Sequence, residues 1–257
     1  MNPLKIGVAI IESLPNTEKQ TGEELFNSTL KYISFQKKYL ENELHKIESK
    51  EDLLEVLNKL YENAKEHQKF YFLHFEIHGD DNGISLKNGD FVYWSEILPL
   101  FRNLNILYRN NLSVYLAVCK GNSLLKFINP IERSPFGVVI GSFNDIYNYD
   151  IISYFENFYT KFFDKFSVFD AYNTVKKINL KSEFSLISSH HVIRHLLELQ
   201  KESKDKELIL NALNDSFGKI ENQSKSIGIV YEYLNQEVNR IFTEFTIEEN
   251  FFLMNDL

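Results

Sequence analysis

A histidine and a cysteine, each at the end of a strongly apolar run, are the residues of this sequence that suit covalent chemistry. His78 follows the run FYFLHFEI and precedes Gly79, and Cys119 follows the run LSVYLAV and precedes Lys120. A free thiol has a pKa near ~8.5, so a cysteine nucleophile needs a neighbouring base or cation to raise its thiolate fraction. A histidine within hydrogen-bond reach does this, and it then protonates the leaving amine when an acyl-enzyme forms. The backbone N–H groups of Gly79 and Cys119 are the candidate donors to the oxyanion of the tetrahedral intermediate.

The two apolar runs predict the strands that bring these residues together. Both are rich in aromatic and β-branched residues and end at turn residues, which is typical of strands buried on both faces of a parallel sheet. Between them lie an Asn88-Gly89 pair, which favours a type I′ hairpin turn, and a helical segment. This connection is long enough for a crossover between parallel strands. We therefore expect His78 and Cys119 to emerge side by side, at the edge where open α/β sheets place their ligands.

The rest of the pattern alternates strands and helices, which predicts a three-layer α/β fold with a mostly parallel central sheet flanked by helices. The sequence SKED at residues 49–52 resembles a capping box and begins a helix that extends to about residue 66. From residue 189 onward the pattern is helical and more polar, so we predict a domain at 1–188 and a helical C-terminal extension at 189–257. Further strands are predicted at 4–11, 39–47, 136–140 and 184–187, and further helices at 23–39, 95–109, 122–129, 150–165 and 167–178.

Composition argues against several classes of protein. The 257 residues carry a formal charge of −8, with a pI near 5.5, which disfavours sequence-independent nucleic-acid binding. No apolar run approaches the ~20 residues of a membrane-spanning helix, and the first residues lack the pattern of a secretion signal. A single cysteine excludes an internal disulfide and a thiolate-rich zinc site. We expect a cytoplasmic protein without membrane or direct nucleic-acid partners.

The two strand-end motifs, His-Gly and then Cys-x-Gly 41 residues later, resemble those of the caspase-like cysteine peptidases of clan CD. This group includes caspases, metacaspases, separases and bacterial CHAT-domain proteases. The sequence RSPFGVVIG at 133–141 is similar to the strand that follows the nucleophile in CHAT domains, and FENFY at 155–159 is similar to the next helix. The resemblance covers residues 4–187. It implies a peptidase fold in which a His78/Cys119 dyad hydrolyses peptide bonds through an acyl-enzyme, with no cofactor.

The resemblance also implies which residues read the side chain before the scissile bond. The corresponding positions are Glu12, Ala117 and the loop 142–145, and acids at Glu12 and Asp145 favour a basic side chain through charge pairing. Ala117 stands two positions before Cys119, where caspases have Gln, so their preference for Asp is not implied. Bacterial members often act in defence or cell death and are switched on by a partner. A protein substrate, and an activating protein partner bound through the C-terminal helices, are therefore expected.

Other interpretations of these residues remain open. A lone cysteine at a strand end is more often a small buried hydrophobe, and a degenerate dyad predicts a catalytically inactive scaffold that binds proteins. His74, Glu76 and His78 alternate along one strand and share a face, which suits a metal-dependent hydrolase, although packing is favoured for His74. His191 and His195 have the i, i+4 spacing of zinc ligands on a helix, but a solvated or capping role is favoured. We assign no metal site.

Overall fold

A computed structural model describes residues 5–129, 131–190, 193, 252–255 and 257. Within them, eight strands form one sheet: β1 (Lys5–Ser13), β2 (Glu43–Lys46), β3 (Lys69–Gly79), β4 (Gly83–Ser85), β5 (Phe91–Tyr93), β6 (Ser113–Ala117), β7 (Val138–Ser142) and β8 (Phe184–Ser188). The strand order is β2-β1-β3-β6-β7-β8, and a β4/β5 hairpin branches from the end of β3. All neighbours from β2 to β7 are parallel, and β8 is antiparallel to β7. The predicted mostly parallel sheet is therefore confirmed.

Helices cover both faces of the sheet. They are α1 (Thr21–Leu25), a π-helical segment (Phe26–Leu30) and α2 (Lys31–Gln36), then α3 (Lys50–His67), α4 (Trp94–Leu107), a 3₁₀ segment (Gly121–Phe127), α5 (Asn148–Lys165) and α6 (Val168–Ile178). The helices α3 and α4 pack on one face of the sheet, and α1, α2, α5 and α6 pack on the other. The structure thus confirms the three-layer α/β class that the sequence predicts.

The central strand β3 contributes side chains to both layers, which explains its continuous apolar run. Leu73 and Phe75 face the core under α3 and α4, whereas Phe72 and His74 face the aromatic core under α5. Alternation along β3 places His78 on the α5 side of the sheet with His74. Cys119 is on the same side, because its thiol contacts Ile146, which packs against the core under α5. The aromatic residues of α5 therefore lie beneath the candidate site.

Local signals in the sequence place the helix α3 and the β4/β5 hairpin. The capping box is confirmed, since the Ser49 side chain accepts the Asp52 N–H at 3.1 Å and Asp52 accepts the Ser49 N–H at 3.0 Å. The hairpin is also confirmed, but the prediction of a type I′ turn is wrong. Of Asn88 and Gly89, only Gly89 has a positive φ, of 96°, and its N–H donates to the Leu86 carbonyl at 2.9 Å. A three-residue loop that ends on glycine, a G1 bulge, replaces the two-residue turn and needs one positive φ instead of two.

The C-terminal extension predicted at 189–257 falls mostly outside the described residues, as do His191 and His195. Its described part returns to the domain, where the Phe252 carbonyl accepts the Ser134 N–H at 2.9 Å. Phe252 and Leu253 pack with Ile193 in a small apolar cluster. No helix in the described part of the chain is long and apolar enough to cross a bilayer.

Candidate functional site

The register of β3 and β6 brings His78 level with Cys119. His74 is paired with Tyr115 and Glu76 with Ala117, and the same offset of 41 residues, continued by two positions, aligns His78 with Cys119. The end of β3 also touches the chain next to Cys119. A Cβ atom built on Gly79 would lie 3.3 Å from the Cys119 carbonyl oxygen. The two residues therefore occupy adjacent positions at the carboxyl edge of the sheet, as the sequence predicts.

A tight turn presents Cys119 at this edge. Lys120 adopts the left-handed conformation, with φ 55° and ψ 25°, and the Gly121 N–H donates to the Val118 carbonyl at 3.0 Å. The Lys120 N–H donates to the Asn144 carbonyl in the loop after β7, also at 3.0 Å. The thiol is partly exposed. The turn thus ends β6, begins the 3₁₀ segment and leaves Cys119 open to solvent.

The imidazole and the thiol bond to different loops. His78 is half exposed, and its Nε2 lies 2.8 Å from Glu18 Oε2, in the loop between β1 and α1. The Sγ atom of Cys119 accepts the Ile146 N–H at 3.4 Å and lies 3.9 Å from the Ile146 carbonyl oxygen, in the loop between β7 and α5. Among the described residues, no hydrogen bond joins His78 to Cys119. In this conformation the two groups are neighbours without a hydrogen bond between them.

Glu18 is the one contact of His78 that the sequence did not indicate. Its loop is tied internally, because the Gln20 side chain and the Glu18 N–H both donate to the Pro15 carbonyl at 3.0 Å. The loop follows β1, and the chain reverses its direction along the sheet between β1 and β3. Such switch points are where open α/β sheets form ligand crevices. In the sequence Glu18 is one acid in the polar loop after the first strand, and nothing in its spacing relates it to His78.

Glu12, predicted as a substrate contact, lies near the end of β1 and is buried against the start of α1. It is 1% exposed, and its Oε1 accepts the N–H groups of Gly22 at 2.7 Å and Glu23 at 3.1 Å. Burial raises the pKa of Glu12 above its ordinary value, against the lowering effect of those two amides and of Lys46. The carboxylate thus binds the first turn of α1 and is buried from solvent. We therefore do not retain the assignment of Glu12 to the substrate pocket.

His74 and Glu76 form a buried network with residues of α1 and α5. His74 Nδ1 lies 2.6 Å from Tyr159 Oη, and His74 Nε2 lies 2.8 Å from Glu76 Oε1. The Thr21 hydroxyl donates to Glu76 Oε2 at 2.6 Å. Both ring nitrogens of His74 are thereby satisfied inside the protein. No group of three or more His, Cys, Asp or Glu side chains in the described part of the chain is arranged to hold a metal ion.

The other two predicted substrate contacts lie in different environments. Ala117 is buried in β6 and packs in the aromatic core under α5. Asp145 is exposed in the loop after β7, directly before Ile146, whose backbone contacts the Cys119 thiol. Together with the closer Asp81, its charge helps to raise the pKa of Lys120. Asp145 is therefore the acid of the predicted pocket that solvent and a substrate can reach.

Comparison with known proteins does not add a family to this geometry. No protein-family model matches the chain, and no curated protein matches its sequence. Function is therefore inferred from the residues of the chain and their arrangement.

Proposed function

We propose that this protein is a cysteine endopeptidase in which Cys119 is the nucleophile and His78 is the general base and then the general acid. The observation that carries the proposal is the parallel pairing of β3 and β6. It aligns the single thiol of the chain with a half-exposed imidazole, on the same face and at the same edge of the sheet. The backbone N–H groups of Gly79 and Cys119 are the proposed oxyanion donors, since they lie where the two strand ends meet.

Glu18 supports the base role of His78 by fixing its tautomer. A carboxylate 2.8 Å from Nε2 favours a proton on that nitrogen, which leaves the lone pair of Nδ1 free to accept the thiol proton. The base is then oriented by a third group, as in other activated nucleophiles. Both side chains of the pair are exposed enough for the ring to turn without repacking the core.

The resting contact of Cys119 with Ile146 must break before the thiol can reach His78. That contact is a hydrogen bond to a thiol sulfur, which is a weak acceptor, and the side chain is partly exposed, so a rotation about χ1 is inexpensive. Catalytic hydrogen bonds often tighten only when substrate binds. We propose that a substrate or an activating protein partner assembles the dyad in the cell. The residues 189–257 that were expected to bind such a partner lie mostly outside the described part of the chain.

A basic residue before the scissile bond is the proposed substrate preference. Asp145 lies one residue from the loop backbone that contacts the thiol, and Glu18 borders the imidazole, so the rim of the site carries negative charge on both sides. Peptides that differ only at this residue test the preference. Cleavage after neutral residues, but not after Arg or Lys, would remove it.

The second candidate function is a non-catalytic interaction module built on the same fold. The specific observation in its favour is that His78 and Cys119 each bond to another group, Glu18 and Ile146, rather than to each other. In this case the thiol behaves as an ordinary partly buried cysteine in every state of the protein.

The rate at which Cys119 is alkylated, measured against pH, distinguishes the two functions. Because the chain has a single cysteine, every modification reports on this residue. A thiol with an ordinary pKa near ~8.5 is only ~3% thiolate at pH 7. Pairing with His78 raises that fraction, so in the state in which the dyad is assembled we expect alkylation at pH 7 to slow about tenfold in His78→Ala. The exposed His67, at the end of α3, supplies the matched control His67→Ala, which leaves the rate unchanged.

Equal rates in the parent protein and in His78→Ala, with and without a peptide that fits the site, contradict the peptidase proposal. That result favours the interaction module. A rate that depends on His78 only when the peptide is present supports a dyad that substrate assembles.

A further inference from the structure

The loop after His78 and Gly79 carries a carboxylate that is bound by three side chains from the segment after Cys119. Asp81 Oδ2 accepts a hydrogen bond from Lys120 Nζ at 3.1 Å. Asp81 Oδ1 accepts hydrogen bonds from Ser123 Oγ at 2.9 Å and from Lys126 Nζ at 2.8 Å. Asp81 therefore connects the turn that follows β3 to both the turn and the 3₁₀ segment that follow β6.

The Ser123 and Lys126 side of this cluster is buried, whereas the side chains of Asp81 and Lys120 are 36% and 35% exposed. Ser123 is 2% exposed and Lys126 is 7% exposed. In the described part of the chain, Asp81 is the one acid with which Lys126 pairs. Burial alone would raise the pKa of Asp81, but the hydrogen bonds from Lys126, Ser123 and Lys120 outweigh that effect and lower it to about 2. The carboxylate is charged throughout the neutral range, and a nearly buried ammonium depends on it.

The position of the cluster relates it to the candidate site. Asp81 follows His78 by three residues, and Lys120 directly follows Cys119. The strands themselves pair as far as Glu76 and Ala117, and beyond them Gly79 lies against the Val118 side chain. Within the described residues, the contacts of Asp81 thus form a charged link between the turn that follows His78 and the turn that carries Cys119.

We propose that Asp81 is a positioning residue that holds the turn of Cys119 against the turn that follows His78. Its catalytic consequence rests on the proposed function, whereas the clamp itself does not. Without Asp81, the 3₁₀ segment loses its anchor at Lys126 and the Cys119 turn loses its anchor at Lys120, so the thiol is no longer held beside the imidazole.

Hydrogen exchange of the full chain in Asp81→Asn tests the clamp. The substitution keeps the shape of the side chain and removes its charge. The matched control is Asp80→Asn, which removes a charge one residue away but keeps the oxygen that accepts the Asn82 and Gly83 N–H groups. We expect amide exchange over Gly121–Phe127 to accelerate about tenfold in Asp81→Asn and to stay at the parent rate in the control. Unchanged exchange in Asp81→Asn, or equal acceleration in both variants, overturns the clamp.

A second readout separates positioning from local stability. The factor by which His78→Ala slows Cys119 alkylation at pH 7 is measured first in the parent protein and then in the Asp81→Asn variant. We expect this factor to fall from about tenfold to about twofold or less, since the thiol no longer meets the imidazole. A factor that keeps its parent value overturns the positioning role. A parent factor of one, both with and without a peptide that fits the site, refutes the proposed chemistry instead, and the exchange result alone then decides the clamp.

The unpaired, nearly buried Lys126 could prevent Asp81→Asn from folding. In that case a variant that removes both charges takes its place in the two measurements. Asp81→Asn combined with Lys126→Met leaves no unpaired ammonium in the interior, and replacing a buried ion pair with apolar groups is often tolerated. It still lacks the Asp81 contact to Lys120. We expect the same direction of change in both readouts, and parent values in both overturn the proposal.

Discussion

Replacing Gly79 with alanine measures how closely the ends of β3 and β6 meet. Gly79 does not have a positive φ, so its backbone conformation alone does not require glycine. An added Cβ, however, would lie 2.4 Å from Val118 Cγ1 and 3.0 Å from the Gly83 carbonyl oxygen. Carbon atoms in contact are normally about 3.5–4.0 Å apart. Overpacking of this kind costs about 1–3 kcal/mol, so we expect the free energy of unfolding of Gly79→Ala to fall by about 2 kcal/mol.

A double-mutant cycle with Val118→Ala identifies the atom responsible. Val118 is fully buried, so Val118→Ala alone costs about 2 kcal/mol in lost burial and cavity formation. It also removes the methyl group that an alanine at position 79 would meet. We therefore expect the double variant to be more stable than the sum of the single losses predicts, by about 1 kcal/mol or more. Urea unfolding at an unchanged m-value measures all four proteins.

Additive losses would refute the close approach of the two strand ends. Gly89→Ala is the matched control, because a Cβ there meets no atom within 4 Å and its cost comes from the positive φ alone. That variant should show no coupling with Val118→Ala. A coupling energy of equal size in this control would mean that the cycle measures a non-specific effect of Val118→Ala on the stability of the domain.

Two further predictions concern the buried polar residues below the site. Burial raises the folded pKa of Glu12 above 4.5, so its contribution to stability falls as the pH rises from about 4.5 through the folded pKa. Glu12→Gln removes this dependence, so between pH 4 and 8 the free energy of unfolding of the variant, measured in urea, should rise relative to that of the parent. A difference in this free energy that does not depend on pH contradicts the assignment. Tyr159→Phe leaves the buried Nδ1 of His74 without its partner and should lower the free energy of unfolding by about 1–3 kcal/mol, and a stability equal to that of the parent contradicts the bond.

The strands that position the candidate site could be predicted because their signal is local. The runs that became β3 and β6 are apolar on both faces, and only the centre of a parallel sheet buries both faces. Once these strands are parallel neighbours, the meeting of His78 and Cys119 at one edge follows from the geometry of the sheet. The capping box of α3 was predictable for the same reason, since Ser49 and Asp52 satisfy each other within one turn.

The partners of these residues could not be predicted, because they are set by loops that meet only in the folded chain. Glu18 and Asp81 are ordinary acids in polar segments, and no spacing in the sequence relates them to His78 or Lys126. The contacts of Glu12 were not predictable for a similar reason. The resemblance assigns this residue to a substrate pocket by its place at the end of the first strand, but in the folded chain its carboxylate accepts the amides at the start of α1. The hairpin turn differs from the predicted type I′ turn because an Asn-Gly pair suits both a two-residue and a three-residue loop. The sequence alone does not distinguish these two loop lengths.

The polar residues beneath the sheet edge bear on the choice between a site and a scaffold. Buried carboxylates are costly unless hydrogen bonds compensate them, and apolar residues of similar volume often give a more stable core. Glu12 and Glu76 are both 1% exposed, and they accept hydrogen bonds from the first residues of α1. These bonds fix where α1 begins, and hence the path of the preceding loop that holds Glu18 against His78. We infer that this part of the core is organised to position that loop rather than to maximise stability, as a site that must hold an imidazole in one orientation requires.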